Sequence, residues 1–355
     1  MSKLTPEFMK QWLTARGWKI RTSVYRRFHD QVARIAKGNV IIIHGYRGHV
    51  REPHFKNIAN AFDDEFFNVV TCDLPNFGKS IPEDVSYYGQ VPSFTDLIEV
   101  AKALTYAILT SKAKNHLPTF FVTYSVGALT ILRFLQQYAP VQRYIAGVVF
   151  ISLPLRVEKN ADPKLLKYKK LIEPLMGLLA GVNPHMRVAS YEPDEFSKDD
   201  REHFKGDMEM ITAKEIFYAA NRARTRMDRI YIPTLFVHGA DDHDTAPVSE
   251  MEIAFQSIST PADKKEKIIY PGVGHLVLQQ HRQATADIVA WVNARVAEIP
   301  VTKVDREDFD QGLIAQSSRE LRAIIASACG QLGKLFISLL REGLARIYRR
   351  LRRKP

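Results

Sequence analysis

The sequence is short of cysteine: Cys72 and Cys329 are the only two in 355 residues. Two thiols cannot staple a chain of this length, so a disulfide framework is excluded and a reducing, cytoplasmic setting is expected. No charge-free run of about 18 apolar residues occurs, which argues against a membrane-spanning helix. The opening residues, MSKLTPEFMKQWLTARGW, lack the apolar stretch of a secretory leader, so none is expected. No GxGxxG fingerprint is present, and a dinucleotide has no support. No cofactor and no metal are expected.

Positive charge is in surplus, but unevenly. The chain holds 50 Lys+Arg against 39 Asp+Glu, a net +11. Residues 318–355 carry ten basic side chains against Glu320 and Glu342, so +8 lies in that stretch and +3 in the rest. A nucleic-acid binder needs a basic face on its folded body, so nucleic acid is not an expected partner. In the same stretch Leu321, Ile324, Ile325, Ala328, Leu332, Leu335 and Phe336 recur at helical spacing. This reads as a basic amphipathic helix suited to an anionic membrane surface and a peripheral location on its inner face. The competing reading packs it on the body or on a second copy.

Between these ends, short apolar runs alternate with helical patterns. GNVIIIHGY, FFNVVTCDLP, PTFFVTYSV, IAGVVFISLPL, IPTLFVHGA and KEKIIYPGV read as six strands. Continuous apolar runs suit parallel strands covered on both faces. The spacing therefore predicts an α/β fold, a mostly parallel sheet flanked by helices. The alternation breaks over 156–230, a charged, Pro-punctuated and helical stretch read as an inserted cap. In it Leu171, Ile172, Leu175, Met176, Leu178 and Leu179 either pack the cap onto the sheet or face acyl chains or a bilayer. The expected division is a core at 1–155 and 231–300, the cap at 156–230, and a linker with the basic helix at 301–355. A further helix is expected at about 5–16.

Ser125 stands where a β-rich run stops and a helix begins, with Gly127 two residues on. This is the arrangement of a nucleophile elbow, although Thr123 occupies the position where a first glycine is preferred. Taken alone, such a serine reads first as a helix N-cap. The order of later residues changes that. Carboxylates in LFVHGADDHD follow a later strand, and His275 in IIYPGVGHLVL follows the next. A serine, an acid and a histidine at successive strand ends make an acyl-transfer site. His238, Asp241, Asp242, His243 and Asp244 could also bind a metal, but they crowd one loop without a companion cluster. Gly78, Lys79 and Ser80 lack the earlier glycine of a phosphate loop. Cys72, at a strand end, reads as a buried core thiol.

HGYRGH, DLPNFGKS, VPSFTDL, TYSVGA, LFVHGADD and PGVGHLVL, in that order, resemble the α/β-hydrolase superfamily over residues 15–298. The resemblance is strongest to its monoacylglycerol lipase and lysophospholipase-like serine hydrolases. It implies Ser125 as nucleophile, His275 as base and Asp242 as the acid, chosen over Asp241 because the family's acid falls three positions after the Gly. Asp244 ranks third. It also implies an oxyanion hole from the backbone N–H groups of Tyr46 and Val126, with His44 and Gly45 shaping the loop. The implied substrate is a small lipid-like ester, a monoacylglycerol or lysophospholipid, cleaved through an acyl-enzyme. Thr123, and Arg47 where relatives often have a small residue, depart from the pattern. They leave the alternative of a catalytically silent scaffold that binds a lipid or protein partner.

Overall fold

In a computed structural model of the chain, residues 22–25, 36–81, 85–109, 117–155, 169–243 and 245–296 are described. The expected helix at 5–16, residues 301–355 and Asp244 lie outside them, as do the side chains of Leu171, Ile172 and Leu175. Chain contacts divide between Val304 and Asp305, and every described residue lies before that division.

The strands are β1 (Thr22–Tyr25), β2 (Gly38–Ile43), β3 (Phe67–Cys72), β4 (Thr119–Tyr124), β5 (Gly147–Ile151), β6 (Arg187–Ala189), β7 (Met208–Glu209), β8 (Thr234–Gly239) and β9 (Lys265–Tyr270). The helices are α1 (Pro53–Asp64), α2 (Phe94–Leu109), α3 (Val126–Gln137), α4 (Lys169–Val182), α5 (Met210–Arg224), α6 (Val248–Ser257), α7 (Val277–Gln280) and α8 (Gln283–Val296). Seven strands form one sheet in the order β1-β3-β2-β4-β5-β8-β9. Six of them run parallel, and these are the six the apolar runs predict. β1 pairs antiparallel on the β3 edge and was not expected. Its sequence, TSVY, is too short to form an apolar run.

Alternation along the strands sorts the core between two faces. On one, Val40, Ile42, Val122, Val149 and Val237 meet Phe55, Ile58 and Phe62 of α1 and Ile288, Trp291 and Val292 of α8. On the other, Phe121 meets Phe134 of α3, and Phe236 meets Phe255 of α6. Each fully buried side chain of this size contributes about 1.5–3 kcal/mol. The buried residues of α1 (His54, Phe55, Ile58, Ala59 and Phe62) keep one-face helical spacing. α3 is buried on nearly every side, its polar Thr130, Arg133 and Gln136 included, because it lies between the sheet and other helices, among them α2 and α5.

The stretch between β5 and β8 holds α4, α5 and a small antiparallel ribbon of β6 and β7, in which Arg187 pairs with Glu209. Sequence periodicity predicted helix here and missed the ribbon, whose strands are only three and two residues long. The end of α5 is fastened to α3 by Gln136, whose Nε2 donates to the Ala223 and Arg226 carbonyls at 2.9 and 3.0 Å. Among the described residues no helix is long and apolar enough to cross a membrane.

Candidate active site

The turn from β4 into α3 is tight. Ser125 has φ 52° and ψ −122°, a backbone conformation that costs a non-glycine residue energy. Its hydroxyl does not cap α3, so the N-cap reading fails. A Cβ on Gly127 would lie 2.2 Å from the His44 carbonyl oxygen, which is why only glycine fits there. Thr123 is wholly buried, and its hydroxyl donates to the Val149 carbonyl at 2.7 Å. The turn therefore accommodates a side chain where the motif prefers glycine, by satisfying it on the neighbouring strand.

β4, β5, β8 and β9 are consecutive in the sheet, so loops leaving their carboxyl ends converge. Ser125 follows β4, Asp242 follows β8 and His275 follows β9. The Ser125 hydroxyl donates to His275 Nε2 at 2.8 Å, and His275 Nδ1–H donates to Asp242 Oδ2 at 2.6 Å. Asp242 Oδ1 accepts from the Thr245 and Ala246 amides at 3.2 and 3.1 Å. Burial alone would raise the Asp242 carboxyl pKa. The hydrogen bond and charge of His275, the Ala246 amide and the charge of His238 outweigh burial and hold it below the usual value. Asp241 is used differently: its amide donates to the Val273 carbonyl. His238 Nε2–H is bonded to the Ala246 carbonyl.

The β2–α1 loop passes over Ser125, and a Cβ on Gly45 would lie 3.0 Å from that of Ser125. His44 Nδ1–H donates to the Gly45 carbonyl at 2.7 Å, and Leu74 N–H donates to His44 Nε2 at 2.8 Å. Both bonds fit a neutral imidazole, and burial lowers the His44 pKa accordingly. Tyr46 follows Gly45 along this loop, and Val126, the first residue of α3, follows Ser125 in the chain. The DLPNFGKS segment braces the same loop. Asp73 accepts from Val50 N–H at 3.0 Å and Lys79 N–H at 2.9 Å, and pairs with Arg51 at 2.7 Å. A Cβ on Gly78 would lie 2.7 Å from the Asp73 carboxyl carbon, so Gly78 makes room for a structural carboxylate. Cys72 is buried, and burial pushes its thiol pKa up.

Several contacts were invisible in the sequence. The Arg47 guanidinium lies 4.0 Å from the Tyr191 ring centroid and 4.8 Å from that of Tyr46. It donates to the Phe204 and Gly206 carbonyls, while Phe204 N–H donates to the Arg47 carbonyl at 2.9 Å. Among the described residues, His49, Glu52 and Asp200 are the group whose potential ligand atoms converge within 4.8 Å. They are already hydrogen-bonded, His49 Nε2 to Asp200 at 2.9 Å and Glu52 to His203 at 2.7 Å. Arg47 and this group fasten the stretch between β6 and β7 to the loop over Ser125.

A parallel sheet with a strained serine at a strand–helix turn, relayed through histidine to a carboxylate at later strand ends, defines the α/β-hydrolase fold. The family description "Serine aminopeptidase, S33" matches residues 34–281, and the chain belongs to this family of hydrolases. Among curated proteins no relative is found. Solved structures with the same fold include a monoacylglycerol lipase from Paleococcus ferrophilus, 18% identical, covering 78% of this chain and 99% of that one at a TM-score of 0.60. A soluble variant of monoglyceride lipase from Saccharomyces cerevisiae, in complex with a substrate analog, is 17% identical, with 79% and 92% covered at a TM-score of 0.60. A thermostable carboxyl esterase from Bacillus coagulans, in complex with glycerol, is 13% identical, with 78% and 94% covered at 0.61.

Proposed function

We propose that the chain is a serine carboxylester hydrolase that cleaves lipid-like esters, monoacylglycerols or lysophospholipids, through an acyl-enzyme. The observation that carries this reading is the unbroken relay from Ser125 through His275 to Asp242, with contacts of 2.8 and 2.6 Å. Ser125 Oγ attacks the ester carbonyl as His275 Nε2 takes its proton. His275 then returns that proton to the departing alcohol, and water repeats the sequence on the acyl-enzyme. Asp242 stays ionised, fixes the imidazole tautomer and stabilises the imidazolium. The Tyr46 and Val126 N–H groups receive the charge that develops on the carbonyl oxygen. Peptide cleavage would use the same parts. The preference for esters rests on the lipase and esterase neighbours and on the exposed apolar residues Leu178 and Val182 of α4. Thr123, which favoured a silent scaffold, is satisfied without disturbing Ser125.

A fluorophosphonate is expected to label wild-type protein stoichiometrically, with the adduct on Ser125 by peptide mapping. Monoacylglycerol should be hydrolysed and an aminoacyl nitroanilide left intact. Folded protein that takes no label sinks the proposal, and cleavage of the nitroanilide alone replaces the ester reading with a peptidase one. We place the enzyme on an anionic membrane surface through residues 318–355. The full chain should float with phosphatidylserine vesicles and a chain ending at Pro300 should not; equal flotation refutes this placement.

A further inference from the structure

The loop that carries His275 has little regular structure of its own, running Pro271-Gly272-Val273-Gly274 from the end of β9. Gly272 has φ 71°, and glycine-rich backbone is the most costly to hold in one conformation. Yet the relay needs His275 Nε2 held within hydrogen-bond reach of Ser125. The His275 carbonyl is gripped from outside the loop by two side-chain hydroxyls. Tyr124 Oη donates to it at 3.0 Å and Ser152 Oγ at 2.8 Å, while Val277 N–H donates from within the loop at 3.0 Å.

The two hydroxyls belong to residues that also define the position of Ser125. Tyr124 immediately precedes it. Ser152 follows Ile151, whose carbonyl accepts the Ser125 N–H at 2.9 Å. Ser152 is wholly buried, has φ 49°, and donates its own N–H to the Val237 carbonyl of β8 at 2.9 Å. Held in a conformation that L residues rarely adopt, its side chain reaches across to the His275 loop.

We propose that Tyr124 and Ser152 are positioning residues, a pair of hydroxyls that clamp the His275 main chain to the two strand ends holding Ser125. The inference rests on the proposed roles of Ser125 and His275. The clamp leaves the imidazole only side-chain rotations while it swings between the serine and the leaving alcohol. Misplacing a catalytic group by about 1 Å can cost about a hundredfold in rate, so a fastening of this kind acts on turnover and not on substrate affinity.

The test uses Tyr124→Phe, Ser152→Gly and the double variant, each assayed with a nitrophenyl ester and checked by urea unfolding. Each single change should lower kcat about tenfold and the pair about a hundredfold, with KM within about twofold of wild type. Glycine adopts the backbone of residue 152 without strain, and Tyr124→Phe removes a single oxygen, so if one variant misfolds the other still carries the test. In a His275→Ala background neither change should reduce the residual rate further, because groups that act as one unit are not additive. A double variant with kcat within about twofold of wild type overturns the clamp. A further fall in the His275→Ala background overturns it too, since the loss would then not pass through His275. Hydrolysis that survives Ser125→Ala instead overturns the underlying reading. Labelling of Ser125 in protein whose clamp proves inert removes only the clamp.

Discussion

Ser125→Ala should lower kcat for a nitrophenyl ester by about a millionfold, the size of loss expected when a nucleophile that works as a unit with its base is removed. The change is chemically narrow. The Ser125 hydroxyl bonds to His275, it does not cap α3, and alanine meets the same backbone cost at φ 52° that serine does. The urea unfolding midpoint should therefore hold, and fluorophosphonate labelling should vanish. A variant that keeps more than about one hundredth of wild-type turnover would show that another group attacks the ester.

Asp242→Asn should cost about ten thousandfold in kcat, because it changes the tautomer of the base. Asp242 Oδ2 accepts from His275 Nδ1–H while Oδ1 accepts two backbone amides. An asparagine has one acceptor oxygen. If it keeps the Thr245 and Ala246 amides, its NH2 faces Nδ1, the imidazole proton moves to Nε2, and the base can no longer take a proton from serine. Stability adds a second readout. The Asp242 pKa is lowered in the folded state, so its contribution is complete above the unfolded carboxyl value of about 4 and is lost as the pH falls through the folded value. The unfolding midpoint of Asp242→Asn should lie below wild type at pH 7, and the gap should narrow towards pH 3. A constant gap across that range would contradict the ionised role given to Asp242.

The parts of the molecule that were legible in the sequence are those written in runs. Val40–Ile43 and Phe120–Val122 are buried on both faces, as the strands of a parallel sheet covered by helices are. Gly127 was legible because a tight turn excludes a side chain. The choice of Asp242 over Asp241 came from resemblance, since two adjacent carboxylates look alike until one is turned towards His275. β1 was hidden because four residues on a sheet edge need no apolar pattern. Pairs such as His49 with Asp200 and Arg51 with Glu202 lie 151 residues apart and read in the sequence as ordinary solvated charges. The hydroxyls of Tyr124 and Ser152 were likewise silent, because their partner is a main-chain carbonyl that no sequence pattern marks.

His44 separates the residue that owns a backbone donor from the residue that aims it. A trans peptide sets its C=O and N–H in opposite directions. By holding the Gly45 carbonyl, the His44 imidazole turns the next amide, that of Tyr46, the other way. The side chain at 46 supplies no atom of that donor and instead packs its ring against Phe77 and Arg47, whereas two positions earlier the imidazole both donates to Gly45 and accepts from Leu74. The residue that aims the proposed oxyanion donor is thus residue 44, although the atom itself belongs to residue 46.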